Sequence, residues 1–232
     1  AAVAAQKKGR IVVGGAIQLS GKFANYGWQA RRIADDWKTF VDSDPQFPFT
    51  VDFRFEDDAS NSDTAKSKDK AMLQPRTKNS PDVLICPYTS TASIKVCNML
   101  DDENITVLCG VWGGASGKIF AYPESGKGFN LRVQTFSLAA GYMEAALEMA
   151  HAKLIVGLGR APTAAFVYLD SDAFGKGVCV GAEKKAKQLG FDVKFMAAPD
   201  SLTDSTGAAT IYQTLKDNLG RIPFIDLYDV TQ

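Results

Sequence analysis

A cluster of hydroxyl side chains follows one of the apolar segments of this 232-residue chain. The segment DVLIC runs directly into CPYTSTAS, residues 86–93, where a helical pattern begins. Hydroxyl and backbone N–H groups at a helix N-terminus attract anions, including carboxylates. The same residues also suit a purely structural purpose, because Ser90 or Thr91 can cap the helix with no ligand present. The sequence leaves both interpretations open.

Acidic residues occur as adjacent pairs at three places, which are Asp35-Asp36, Asp57-Asp58 and Asp101-Asp102. The pair Asp57-Asp58 directly follows a strand pattern, so it lies at the carboxyl end of a strand. Because aspartate favours turns and caps, we predict a turn role for it. We expect the other two pairs on solvated helix faces.

Enzyme signatures are absent from the sequence. The single histidine, His151, has no nucleophile motif around it and is expected at a surface or helix end. There is no GxSxG nucleophile elbow, and the GKG of ESGKGF lacks the rest of a GxxxxGK[ST] phosphate loop. We predict a protein that is not an enzyme, with no catalytic residue, no metal and no cofactor.

Composition and charge exclude two further classes. Basic and acidic residues balance at 26 each and the pI is about 6.8, so we expect no surface for nucleic acid. No apolar run approaches the roughly 18 residues that a membrane span needs. The start, AAVAAQKKGR, lacks the apolar stretch of an intact signal peptide, which suits either a processed N-terminus or a cytosolic start.

The four cysteines, Cys86, Cys97, Cys109 and Cys179, form no CxxC pair, so neither a zinc motif nor a redox motif is predicted. Cys86 and Cys109 lie within or beside apolar runs, where a buried thiol behaves as a small hydrophobe. We predict core cysteines at both positions. A disulfide among Cys86, Cys97 and Cys109 is the alternative.

The apolar pattern alternates between strand and helix along the chain. RIVVGGAI has the continuous apolar character of a strand buried on both faces, and helical spacing follows from about Ala24 to Val41. Ser62 or Asp63 is the expected N-cap of the next helix. Further strands are predicted at FTVDFRFED, DVLIC, ITVLCG, TAAFVYLD, DVKFMAA and PFIDLYDV. Repeated βα units of this kind predict a parallel sheet with helices on its faces.

The βα pattern breaks near residues 131–135 and restarts with TAAFVYLD. We therefore predict a first α/β lobe at 1–131 and a partial second α/β lobe at 132–232.

Three stretches resemble the first half of a type 1 periplasmic binding protein: AIQLSGKFANYGWQARR, EDDASNSDTAKSKDKA and CPYTSTASIKVCNMLDDENITVLCG. The nearest subgroup is the leucine/isoleucine/valine-binding proteins, whose fold also forms receptor ectodomains. VYLDSDAFGKGVCVGAEKKAKQLGFDV resembles the segment that begins the second lobe. The resemblance implies two Rossmann-like lobes with parallel sheets flanked by helices, the second incomplete here, which close on a ligand in the cleft between them.

The resemblance also implies a function. It implies non-enzymatic binding of a small polar or amino-acid-like ligand for transport or sensing. The location would be extracytoplasmic, periplasmic or secreted, with the signal peptide removed. A membrane transporter or receptor would be the partner, and nucleic acid would not. The alternative is a receptor-like ectodomain or structural interaction subunit that has lost the ligand, because GVWGGASG, with Trp112, stands where the family has a small polar run.

Site residues follow from the family's positions. Tyr26 stands at the aromatic position of the first loop, and Ser90 and Thr91 stand where the family presents hydroxyl and amide groups to a carboxylate. We expect Trp28 to pack its helix onto the sheet instead. The expected ligand-binding residues are Ser20, Tyr26, Tyr88, Ser90, Thr91, Trp112, Gly113, Phe174 and Tyr228.

Overall fold

The computed structural model describes residues 9–114, 131–158 and 162–197, together with 209–211, 213, 216–217 and 224–227. The chain forms two compact units, Ala1–Phe136 and Ser137–Gln232. In the described part of the chain, none of the helices combines the length and apolar character that crossing a bilayer requires.

The first unit is a parallel sheet with helices on both faces. Its strands run in the order β2-β1-β3-β4-β5, and every neighbouring pair is parallel. The predicted α/β class is confirmed. The elements are β1 (Gly9–Ile17), α1 (Ala24–Ser43), β2 (Phe49–Asp57), α2 (Ser62–Leu73), β3 (Val83–Ile85), α3 (Ser90–Asp102), β4 (Leu108–Val111) and β5 (Arg132–Gln134).

Alternation along the strands divides the core of this unit into two layers. On one face, Val13 and Val51 pack against Val41 of α1. On the other face, Leu84 and Cys109 pack in a larger cluster with residues of α2 and α3. Because both faces of the central strands are covered, β1 reads as a nearly continuous apolar run.

The start of α1 lies very close to the end of β1. A Cβ placed on Gly27 would lie 1.8 Å from the carbonyl oxygen of Gln18. Only glycine permits this approach, which fixes the first turn of α1 over the loop that follows β1.

The second unit is a smaller parallel sheet. Its described strands, β6 (Thr163–Val167), β7 (Asp192–Ala197) and β8 (Phe224–Leu227), run in the order β7-β6-β8. A short 3-10 helix (Ala139–Gly141) precedes α4 (Glu144–Leu158), and α5 (Ala173–Gln188) follows β6. Leu147, Phe166 and Cys179 are fully buried in its core.

Two local predictions are wrong. Trp28 does not pack α1 onto the sheet: it is 59% exposed, and its indole Nε1–H donates to the carbonyl oxygen of Leu19 at 3.0 Å. The N-cap of α2 is Asn61 rather than Ser62 or Asp63. Its side-chain oxygen accepts the N–H groups of Asp63 and Thr64, both at 2.9 Å, because Asn61 has the extended backbone that an N-cap requires.

Candidate ligand-binding site

The loops that follow β1, β3 and β4 lie at the carboxyl edge of the first sheet. In the strand order, β3 stands between β1 and β4, so these three loops are neighbours. This edge is where ligands bind in open α/β sheets. Most of the predicted site residues of the first unit belong to these loops or to the helix turns that follow them.

Three aromatic rings meet at this edge. The ring of Tyr26, from the first turn of α1, stacks on that of Tyr88, with centroids 4.6 Å apart and planes inclined by 10°. Phe23 lies beneath them, 6.4 Å from Tyr26 and 6.2 Å from Tyr88. Phe23 is buried, whereas Tyr26 is 46% exposed. The rings therefore form an apolar surface that solutes can reach.

The N-terminus of α3 lies directly after Tyr88. Its cap is Thr89, whose Oγ1 accepts the N–H of Ala92 at 3.2 Å, so neither Ser90 nor Thr91, the cap residues of the purely structural interpretation, is the cap of this helix. Thr89 has the extended backbone of an N-cap, while Ser90 is already helical. The hydroxyl groups of Ser90 and Thr91 thus stand within the first turn, where the helix dipole favours negative charge.

Gly113, after β4, touches this first turn. A Cβ at Gly113 would lie 2.8 Å from the Cα of Ser90 and 3.0 Å from the Cβ of Ser93. The carbonyl oxygen of Gly113 accepts a hydrogen bond from Nε2 of Gln134 at 3.2 Å. Trp112, the preceding residue, is half-buried. The structure thus places Tyr26, Tyr88, Ser90 and Gly113 along one continuous edge.

Asp57 organises the loop after β1. Its carboxylate accepts the N–H groups of Leu19 and Ser20, both at 3.0 Å, that of Ala59 at 2.9 Å, and the hydroxyl of Ser20 at 2.6 Å. Burial raises the pKa of Asp57, but these hydrogen bonds outweigh it and hold that pKa below its usual range. The predicted turn role of Asp57 is confirmed, and it extends across to the neighbouring loop.

The buried polar side chains of Gln18, Asp58 and Asp69 lie beneath these loops, and the sequence did not predict their burial. Nε2 of Gln18 donates to Asp58 at 3.1 Å, and the N–H of Ala16 donates to Asp69 at 2.7 Å. Burial raises the pKa of Asp58 to about 6 and raises the pKa of Asp69 well above its ordinary value. Among the described residues, Oε1 of Gln18 and Oδ2 of Asp69 have no hydrogen-bond partner. Asp69 lies within the charged sequence KSKDKA, which gave no signal of burial.

In the second unit, Phe174 lies at the carboxyl end of β6, in the first turn of α5. Its ring meets that of Tyr142 edge-on, with centroids 5.2 Å apart. Asp172 caps α5 by accepting the N–H groups of Phe174 and Gly175 at 3.0 and 2.7 Å. The other predicted residue of this unit, Tyr228, lies outside the described residues.

A charged groove also runs along the first unit, lined by Arg10, Arg31, Lys38, Asp52 and other residues. It lies away from the predicted loops. Arg10 and Lys38 both pair with Asp52, and Arg31 pairs with Asp35. A further cation of the groove, Arg54, donates to the carbonyl oxygen of Asn79 at 3.3 Å. Because these side chains already have partners within the chain, the groove gives no indication of a ligand.

A periplasmic binding protein family profile matches residues 10–215. The chain belongs to the periplasmic binding protein family. The resemblance recognised in the sequence is confirmed.

Solved structures show the same fold. The chain superposes on the solute binding protein of an ABC transporter from R. palustris in complex with 4-hydroxybenzoate, with a TM-score of 0.70 and 20% identity over 95% of this chain and 54% of that chain. A leucine binding protein from Thermotoga maritima matches with a TM-score of 0.65 and 15% identity, over 89% of this chain and 54% of that chain. This periplasmic binding protein chain thus spans about half the length of the solved structures it matches. No curated protein sequence matches it.

Proposed function

We propose that this chain binds a small organic carboxylate with an apolar body, without enzymatic turnover, at the carboxyl edge of its first sheet. The observation that carries the proposal is the Tyr26–Tyr88 stack, 4.6 Å between centroids, immediately before the N-terminus of α3. An apolar wall beside a few oriented polar groups is the usual composition of a small-molecule site.

Each part of the edge suits one part of such a ligand. The first N–H groups of a helix have no intrahelical acceptor, and the helix dipole favours an anion there. Thr91, which is half-buried, adds a hydroxyl donor in the same turn, whereas Ser90 is buried. A carboxylate is therefore the group expected beside Thr91. The parts of the Tyr26 and Tyr88 rings that the stack leaves exposed supply the apolar contact for the remainder of the molecule.

Relatives support this ligand class. One solved relative is a leucine binding protein, and another holds 4-hydroxybenzoate. Leucine and 4-hydroxybenzoate share a carboxylate and an apolar body, which is the chemistry that this edge offers. We therefore extend the expected amino-acid-like ligand to include aromatic acids.

The remaining predicted residues receive separate proposed roles. The hydroxyl of Ser20 donates to Asp57 at 2.6 Å, so we assign Ser20 to positioning the first loop. Trp112, Phe174 and Tyr228 are proposed ligand contacts because of their family positions. His151 packs 5.8 Å from the ring of Phe191, which supports a packing role and not a catalytic one.

The proposed setting follows the family. We assign the protein to the extracytoplasmic side, in transport or sensing, with a membrane transporter or receptor as its partner. The proposal includes no cofactor and no nucleic acid.

Calorimetric titration tests the ligand class. We expect L-leucine or 4-hydroxybenzoate to bind. The matched control for 4-hydroxybenzoate is 4-hydroxybenzyl alcohol, which keeps the ring and loses the carboxylate, and we expect it to bind at least tenfold more weakly. Equal binding of acid and alcohol, or no binding of either acid, would overturn the proposal.

One observation favours the alternative of a receptor-like or structural interaction subunit. Large apolar side chains of α1 are exposed, with Ile33 at 68%, Phe40 at 56% and Trp37 at 42%. Clustered exposed apolar residues often mark protein–protein contacts. Analytical ultracentrifugation of the chain and of Phe40→Glu tests this. Concentration-dependent association that the substitution abolishes supports an interaction subunit, and a monomer at all concentrations contradicts it.

A further inference from the structure

Three cysteines meet in the core of the first unit. Cys86 follows β3, Cys97 lies in α3 and Cys109 lies in β4, and all three are fully buried. Their Sγ atoms lie within 4.8 Å of one another. The Sγ of Cys86 is 2.9 Å from that of Cys109 and 3.9 Å from that of Cys97.

The sheet register explains why these residues meet. Leu84 pairs with Cys109, and the N–H of Cys86 donates to the carbonyl oxygen of Gly110 at 2.9 Å. Side chains two residues apart on a strand point to the same face, so Cys86 and Cys109 are diagonal neighbours on one face of the sheet. That face is covered by α3, which places Cys97 against both.

A shared metal ion does not fit the spacing of this pair. Two sulfur ligands of a tetrahedral zinc, each about 2.3 Å from the metal, lie about 3.8 Å apart. The separation of 2.9 Å between Cys86 and Cys109 is much shorter. In the described residues the cluster offers three ligands only, and its neighbours, such as Val96 and Val111, are apolar. Three ligands among apolar side chains fall short of the four that a structural zinc site needs. The two nearest sulfurs, in contrast, need to approach by only about 0.9 Å to reach the S–S length of a disulfide, about 2.05 Å.

We propose that Cys86 and Cys109 form a disulfide in the oxidised protein, while Cys97 keeps its thiol. The two thiols lose two protons and two electrons to a small-molecule disulfide. The thiolate of one cysteine first forms a mixed disulfide with it, and the thiolate of the other then displaces the second small thiol. One S–S bond forms, one S–S bond breaks, and two small thiols leave.

The bond would join β3 to β4 directly beneath the candidate site. Tyr88 and Ser90 follow β3, and Gly113 follows β4. A covalent link between the strands therefore restrains the two loops that form most of this edge. Disulfides persist in oxidising compartments. The chemistry of the cysteine pair does not depend on which ligand the edge binds.

Counting thiols tests the proposal. Because the sulfurs are buried, the chain is refolded from denaturant in a buffer of oxidised and reduced glutathione, then denatured again and alkylated with iodoacetamide. Of its four cysteines, we expect two, Cys97 and Cys179, to be labelled, and all four after reduction. Peptide mass mapping is expected to show a Cys86–Cys109 link.

Two variants serve as controls. Cys179→Ala, in the second unit, is expected to keep the link and take one label. Cys97→Ala is expected to do the same, since Cys97 is not part of the bond. Four labels on the oxidised wild-type chain, or a link that contains Cys97, would overturn the proposal.

Discussion

The ring of Tyr26 lies face to face on that of Tyr88, with 4.6 Å between centroids. Tyr26 comes from the helix that follows β1, and Tyr88 comes from the loop that follows β3. The contact therefore links two neighbouring strand ends that are distant in sequence. Because Tyr26 is nearly half exposed, the stack is a surface feature of the carboxyl edge and not part of the core.

Replacing Tyr26 with alanine removes one ring of this stack. We expect the Kd for the bound acid to rise about threefold to tenfold and the free energy of unfolding to fall by about 0.5–1.5 kcal/mol, the range for an aromatic pair. Calorimetric titration and urea denaturation measure the two effects. The control is Phe40→Ala on the same helix, since Phe40 is 56% exposed and has a ring contact with Phe47 at 5.9 Å. The affinity of Phe40→Ala for the acid should equal that of the wild-type chain. A loss of about 3–5 kcal/mol in Tyr26→Ala would instead identify a core residue.

Replacing Gly113 with alanine should displace the first turn of α3. The new Cβ would lie 2.8 Å from the Cα of Ser90, and a backbone atom cannot give way without moving the helix. We expect a loss of about 1–3 kcal/mol in unfolding free energy, as for other overpacked sites, together with weaker binding of the acid. In Gly110→Ala the nearest atoms would be 3.9 Å away, so it controls for the loss of glycine itself. Equal stability of the two variants would contradict the close contact.

The buried carboxyl of Asp58 predicts a pH dependence of stability. Burial raises its pKa to about 6, above the value of about 3.9 in an unfolded chain. The folded protein therefore binds this proton more tightly. The contribution of Asp58 is complete below about pH 4 and is lost as the pH rises through about 6. We expect the loss of this contribution to lower the free energy of unfolding by about 2–3 kcal/mol as the pH rises from 4 to 7.

The variant Asp58→Asn should reduce this slope between pH 4 and 7 in urea denaturation. Asparagine can still accept the N–H of Ser60. In the wild-type chain Nε2 of Gln18 donates to Asp58, so the Gln18 amide must turn over to let its Oε1, which has no partner in the described residues, accept the asparagine N–H. Some dependence of the unfolding free energy on pH should remain because the pKa of Asp69 is also raised. The contribution of Asp57 depends on pH in the opposite direction, since the pKa of Asp57 is lowered. That contribution is lost only as the pH falls below about 4. Asp36→Asn, on the exposed face of α1, is the control. An unchanged slope in Asp58→Asn would contradict the assignment.

Arg132 joins β5 to α3 and is expected to stabilise the first unit. Its side chain is 5% exposed, pairs with Asp101 and donates to the carbonyl oxygen of Cys97 at 2.8 Å. In Arg132→Met, Asp101 would stay half-buried without its cation, and we expect a loss of about 2–4 kcal/mol in unfolding free energy. The exposed pair Arg76–Asp82, at 3.5 Å, is the comparison, and Arg76→Met should change stability by less than about 1 kcal/mol. Similar losses in both variants would show that burial does not strengthen the Arg132 pair.

Much of the site could be anticipated because strand ends are visible in a sequence. Hydroxyl-rich residues after DVLIC, and an aspartate pair after FTVDFRFED, each followed an apolar pattern that had to end there. A parallel sheet brings such ends to one edge, and Tyr26, Ser90 and Thr91 were named as site residues from the family positions that these loops match. The contacts between their side chains could not be predicted, because these contacts depend on the conformation of each loop at the edge of the sheet.

The N-cap of α3 could not be identified from the local sequence pattern. Thr89, Ser90 and Thr91 are all good cap residues, and the choice of Thr89 depends on where the backbone changes from extended to helical. Trp28 illustrates the same limit, because the close approach of Gly27 to Gln18 leaves the indole over the loop and not beneath the helix.

Periodicity and chain order are local properties, so they were enough to predict the α/β class and the loops of the candidate site, and the resemblance of particular stretches indicated the family. Which side chains meet depends on tertiary packing. Tyr26 and Tyr88 stack because β1 and β3 are adjacent in the sheet, although β2 separates them in sequence. Cys86, Cys97 and Cys109 converge because the register of β3 and β4 places two of them on the face that α3 covers. Asp69 is buried because α2 packs over β1, where the N–H of Ala16 donates to its carboxylate. Contacts between distant segments depend on how several elements pack together, so no single segment of the sequence predicts them.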